Sequence, residues 1–97
     1  MENLSAAKGD SKGEINLHWD SVENAVSYVI EIANSNQSKE IIWKVIDIIS
    51  YPQYTVRKLK SNRDYLFRVA SINDNGQGEI SGEIMKKAPW SEKHVLL

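Results

Sequence analysis

Leu59 to Asn73 reads L-K-S-N-R-D-Y-L-F-R-V-A-S-I-N, and its alternation decides the fold. Tyr65, Phe67 and Val69 fall on one side of an extended chain, with Leu66, Arg68 and Ala70 on the other. This is the two-residue period of a β-strand, so the first set lines a core while the second carries Arg68 towards water. Leu59 stands six places before Tyr65, where a preceding strand ends. The polar residues between them make a corner, and a tyrosine entering a central strand there ties its hydroxyl back to the backbone a few residues upstream.

Working upstream, Gln53 to Leu59 reads as the strand that enters the corner, with Tyr54 and Val56 inward. Tyr51 and Pro52 separate it from Glu40 to Ile49, because proline cannot donate to a ladder. That earlier segment is rich in Ile and Val and contains Trp43, but both of its alternating sets are apolar. Its register therefore stays open: either both faces are covered, or one is exposed and available for binding. Asn34 to Lys39 is a polar turn. Tyr28 to Ala33 is a strand with Tyr28, Ile30 and Ile32 inward, reached through a loop over Ser21 to Ser27. Glu14 to Asp20 alternates cleanly, with Ile15, Leu17 and Trp19 on one face. Trp19 is the expected anchor of the core, since an indole buries roughly 200 Å². A polar turn over Lys8 to Gly13 and a short first strand over Asn3 to Ala6 complete this side.

Downstream, Asp74-Asn75-Gly76 is a hairpin turn, because Asn-Gly readily takes positive φ. A last strand over about Gly78 to Lys87 ends at Ala88-Pro89. No segment has the apolar spacing of a long amphipathic helix. The expected fold is all-β, a seven-stranded antiparallel two-sheet sandwich. Residues 1–89 form the domain, and 90–97 form a C-terminal tail or linker.

Composition bounds the function. The chain has 97 residues, 41% hydrophobic and 26% charged, enough for one core burying roughly 60 to 65% of the unfolded surface. A net charge of −1 gives no general attraction for phosphate backbones or anionic lipid, so nucleic acid is not an expected partner. The absence of cysteine excludes disulfides, zinc-thiolate sites and cysteine nucleophiles. No stretch approaches the roughly 18 to 20 apolar residues of a membrane span.

In this order and spacing, the segments resemble the fibronectin type III family from about Asn3 to Pro89. Asn3 to Ala6 (N-L-S-A) is similar to that family's first strand, and Ile15 to Asp20 (I-N-L-H-W-D) to its second, with the core Trp. Ala25 to Tyr28, followed by V-I-E-I, resembles its third strand and core Tyr. Tyr54 to Leu59 (Y-T-V-R-K-L) with Tyr65 resembles its leucine and tyrosine corner, and Val69 to Ser81 its sixth strand, hairpin and final strand. The structural core this implies is Trp19, Tyr28, Leu59, Tyr65, Phe67 and Val69. The sequence departs from the family where Ser61 and Arg63 replace a common proline and threonine, and where Ser71 replaces a common alanine. These changes affect turn stiffness and packing rather than the fold. The last hairpin lacks Arg-Gly-Asp, so integrin binding by that route is not carried over. Trp90-Ser91-Glu92 matches half of the Trp-Ser motif of cytokine receptors, without its second half or its cysteines.

No residue pattern recommends catalysis or a cofactor. His18 and His94 have no cysteine or spaced carboxylate beside them, which is how plain surface histidines look. Asp20, Glu23, Glu31 and Asp47 are carboxylates of outward strand and loop positions, and no motif pairs them as acid and base. Gly76-Gln77-Gly78 belongs to a hairpin and lacks a following helix, so it is no phosphate loop. Asn3-Leu4-Ser5 and Asn36-Gln37-Ser38 fit the glycosylation pattern, which has meaning only inside a glycosylating pathway. Lys86 and Lys87 read as a charged edge that discourages strand addition.

Expected binding loops are those of one sandwich end: Glu23, Asn24, Asp74, Asn75 and Gln77. The aromatics not assigned to the core, Trp43, Tyr51 and Trp90, are candidate contacts for a sugar or protein surface. The plainer reading has Trp43 capping the edge of the core and Trp90 packed on this domain or a neighbour. The expected function is a non-catalytic spacer and protein-interaction module of a larger protein, contacting neighbouring domains of the parent chain. Trp90 to Leu97 is a candidate self-association segment. The alternative is an accessory carbohydrate-binding domain of an extracellular enzyme, stacking sugars on Trp43, Tyr51 or Trp90. The resemblance implies a cell-surface or extracellular setting.

Overall fold

Ile15, Leu17 and Trp19 form the wall from which the structure is built. In the computed structural model, which describes residues 3–34 and 41–89, all three are buried. They belong to or directly follow β2 (Ile15–His18), the centre of a three-stranded antiparallel sheet between β1 (Ser5–Lys8) and β5 (Gln53–Val56). The facing wall comes from β3 (Ser27–Asn34) and β6 (Asp64–Asn73), which contribute Tyr28, Ile30, Tyr65, Phe67 and Val69. These two strands are the centre of a second antiparallel sheet in the order β4-β3-β6-β7, where β4 is Lys44–Ile49 and β7 is Gly76–Ile80. β8 (Ile84–Lys87) also pairs with β6. The expected all-β, seven-position sandwich is observed, its last position filled by two segments.

Several boundaries differ from the sequence reading, and β5 ends at Val56 rather than Leu59. The first strand is Ser5–Lys8 rather than Asn3 to Ala6, paired with β2 from Ser5↔His18 to Lys8↔Ile15. The last strand is broken at Ser81, whose hydroxyl accepts from the Val69 N–H at 2.9 Å while its own N–H donates to the Val69 carbonyl at 2.8 Å. One serine thus supplies both partners of a ladder residue and lets the edge strand change register between β7 and β8. The segment expected over Glu40 to Ile49 pairs only from Lys44 onward. Ile30 faces Asp47 and Glu31 faces Val45, so Ile46 is an inserted residue. This bulge resolves the register. Ile46 and Ile49 pack on the core, and Val45 and Ile48 are 53% and 56% exposed. A bulge on an edge strand also discourages unwanted pairing with another chain.

The corner around Tyr65 has the anticipated bond. The Lys60 N–H donates to the Tyr65 hydroxyl at 3.0 Å, and half-buried Leu59 packs against the core cluster. Tyr28 does the same for another loop, its hydroxyl accepting from the Val22 N–H at 3.0 Å. Tyr65→Phe keeps the buried ring and leaves the Lys60 N–H unpaired. We expect it to cost about 1 kcal/mol, read as a lower urea midpoint with an unchanged m-value.

Candidate functional site

Both sets of loop residues lie at one end of the sandwich. β3 starts and β6 ends there, with Ser27 opposite Ile72 and the Val26 N–H donating to the Ile72 carbonyl at 2.7 Å. Glu23 and Asn24 are exposed in the β2–β3 loop, Asn24 at φ 69°. Asp74 and Asn75 form the tip of the β6–β7 turn, where the Asn75 N–H donates to Asn73 Oδ1 at 2.9 Å. Gln77 belongs to β7, opposite Ile72. The Asn73 side chain in the short turn and the Tyr28 hydroxyl under the loop fix this end.

The outer face of the larger sheet carries a cluster that alternation did not reveal. Glu31 and Arg68 are direct cross-strand partners. Arg68 Nε and Nη2 both donate to Glu31 Oε1, at 3.1 and 2.9 Å, and their side chains are only 28% and 15% exposed. The guanidinium carbon stands 4.2 Å from the centroid of the Trp43 ring. Such a layered pair gains both charge-assisted hydrogen bonding and cation–π attraction. Trp43 therefore does not cap the core edge. It is half-buried on the opposite face of the sheet, with one side of its ring covered by Arg68. Around this cluster Val45, Ile48, Ile80 and Met85 are exposed, and at the margin Lys87 pairs with Asp64 at 3.3 Å.

Tyr51 lies elsewhere. It is 71% exposed and borders a shallow polar groove with Asn16, His18, Gln53 and Thr55 on the smaller sheet. The structure does not bring Trp43 and Tyr51 onto a common platform. Trp90, the tail and the Asn36-Gln37-Ser38 site lie outside the described residues, as does His94.

The remaining carboxylates have separate local roles. The Asn3 amide donates to Asp20 at 2.8 Å, and Glu23 stands in the loop. Asp47 accepts from the Ile48 N–H at 2.8 Å. Burial pushes the Tyr54 phenol above its ordinary value, helped by its hydrogen bond to Asp47 and the charge of that carboxylate, and opposed by Arg57. Among the described residues no group of three or more His, Asp or Glu is placed to hold a metal ion. No described helix is long and apolar enough to cross a membrane.

Comparison with known proteins agrees with this geometry. The family model for the fibronectin type III domain matches residues 1–86. A Fn3-like protein from Clostridium thermocellum superposes with a TM-score of 0.75 at 22% identity, covering 93% of this chain and 92% of that one. The FN5 domain of Drosophila Lar superposes at 0.70 and 20% identity, covering 91% and 92%. The twitchin kinase region of C. elegans matches at 0.68 and 19% identity over 84% of this chain, which spans only 15% of that longer one.

Proposed function

The chain belongs to the fibronectin type III domain family, and from that premise we propose that it is a non-catalytic spacer and protein-interaction module of a larger protein. The observation that carries this reading is the way the last described strand is tied off. Ala88 is buried, its N–H donates to the Arg63 carbonyl and its carbonyl accepts from the Asn62 N–H, both at 2.8 Å. The Pro89 carbonyl then accepts from the Gly13 N–H at 3.1 Å. Bonding of the chain as far as residue 89 supports reading the sandwich as a unit able to carry flanking chain. The twitchin kinase region, in which the matching domain is a small part of a longer chain, is a precedent for such use. The exposed apolar residues around Trp43 and Arg68 supply a surface on which a neighbour can settle.

The test compares residues 1–97 with a version ending at Pro89. Both are expected to unfold in one cooperative step with stabilities agreeing within about 0.5 kcal/mol, and to scatter light as monomers. A large loss of stability in the shorter version, or dimers of the longer one alone, would make Trp90 to Leu97 a structural or association element and overturn the spacer reading.

A further inference from the structure

The open side of the sandwich, where edge strand β4 faces β5 and the β5–β6 loop, holds a cleft of about 740 Å³. Its charged lining is of one sign. Among the described residues Lys44, Arg57, Lys58, Lys60 and Arg63 border it, and no described Asp or Glu does. These are five of the twelve Lys and Arg in a chain whose net charge is −1, so the clustering opposes the overall balance. All five are exposed. Arg57 pairs with Glu14 at 3.4 Å, and the other four form no ion pair among the described residues. Between the cations the cleft is apolar. Half-buried Ile46 and Leu59 belong to its lining, and Ile42, at 74% exposure, stands at its mouth. The backbone at Lys58 is held at φ 64° and at Asn62 at φ 68°, so the cationic loop retains a strained path where the Leu59 N–H donates to Gly13.

We propose that this cleft is a docking site for an extended acidic peptide segment that carries one or two large apolar side chains. Charge complementarity selects the carboxylates, which the rim spaces along the peptide rather than concentrating at one point. The apolar lining selects against a purely polar polyanion, since a sulfated glycan or nucleic acid backbone satisfies the cations and leaves Ile42, Ile46 and Leu59 in contact with water. The edge backbone of β4 forms one wall, a position from which sheet edges receive extended chains. The bulge at Ile46 limits continuous ladder pairing, so side chains rather than main-chain bonds carry the recognition. The proposal goes beyond the module reading and is independent of its truncation test.

The experiment is a titration of ¹⁵N-labelled full chain with a blocked peptide of glutamates interrupted by one leucine and one phenylalanine. Parallel titrations use the same peptide with both apolar positions changed to serine, and a heparin-derived hexasaccharide. Saturable shifts are expected for amides of β4 and residues 56–63. Affinity should fall at least about tenfold between roughly 50 and 500 mM salt, where the screening length drops from about 14 to 4 Å. The serine peptide should bind at least about fivefold more weakly, as expected for lost apolar burial. Lys60→Glu/Arg63→Glu should reduce affinity by about tenfold or more, with its thermal midpoint recorded to show that it folds. Ile42→Ser should weaken the apolar peptide and leave the serine peptide unaffected. Shifts that do not saturate, equal affinity for both peptides, or tighter binding of the hexasaccharide would each overturn the proposal, and the shift map on the unsubstituted chain decides even if the double variant unfolds.

Discussion

Trp19→Ala removes about 3–5 kcal/mol from the stability of the domain and moves its urea midpoint far below that of the parent. Trp19 heads the set of largest fully buried side chains, and its ring meets Tyr28 edge-on at 5.4 Å with planes 70° apart. Truncating a buried indole costs about 3–5 kcal/mol, because the transfer energy is lost and the surrounding wall collapses only partly. A domain of this size has roughly 5–10 kcal/mol in total, so the loss runs from about a third of it to all of it. The backbone deepens the effect: the Trp19 N–H donates to Pro52 at 3.1 Å, joining the end of β2 to the entry of β5. Trp19→Phe separates volume from polarity. The indole Nε1 is buried without a hydrogen-bond partner among the described residues, so phenylalanine removes an unpaired donor while it gives up volume, and its cost should be no more than about 2 kcal/mol. Far-UV circular dichroism and urea unfolding check both. A Trp19→Ala protein with a cooperative transition within about 1 kcal/mol of the parent would show that the core is not organised around this residue.

Where one face of a strand meets the core and the other meets water, the sequence is a direct map of burial, and Ile15, Leu17 and Trp19 needed no other information. On β6 the period also placed Phe67 and Val69, but its other set is not left to water, since Ala70 is buried and Arg68 half-buried. The period fails at β4, where an inserted residue puts the half-buried Ile46 and Ile49 three positions apart. A string of Ile and Val on both alternating sets gives no sign of which residue is inserted. The break between β7 and β8 is hidden for a different reason, since it depends on one hydroxyl, that of Ser81, substituting for a ladder partner. The outer-face cluster is tertiary throughout. Glu31 and Arg68 are 37 residues apart and meet only because β3 and β6 pair in one register, and Trp43 joins them from outside the β4 ladder. The cationic cleft similarly combines Lys44 with a loop beyond β5. Individually these residues are ordinary surface charges, and only the closing of the two sheets brings these five cations to one opening.

Gly13 is the other position with a large expected effect, and nothing in its local sequence marks it apart from the turn around it. It sits at φ 74°, and a Cβ added there would lie 2.5 Å from the Leu59 carbonyl oxygen, a backbone atom that cannot rotate away. The approach is close because Gly13 is where three segments cross. Its carbonyl accepts from the Leu59 N–H at 3.1 Å and its N–H donates to the Pro89 carbonyl at 3.1 Å. Gly13→Ala must therefore shift backbone and weaken both bonds, in addition to the roughly 1 kcal/mol of placing a side chain at positive φ. A total of about 2–4 kcal/mol is expected. Gly76→Ala provides the comparison, because Gly76 is also at positive φ, 113°, but a Cβ added there meets no described atom within 4 Å beyond its chain neighbours. It carries the conformational cost alone, about 1–3 kcal/mol at a φ this far past the left-handed region. Urea denaturation should show a loss in both variants, and amide exchange at Leu59 should accelerate only in Gly13→Ala. Unchanged exchange at Leu59 in Gly13→Ala would mean that the crossing relaxes freely, and that the corner entering β6 is held by Tyr65 and Leu59 without the support of the β1–β2 turn.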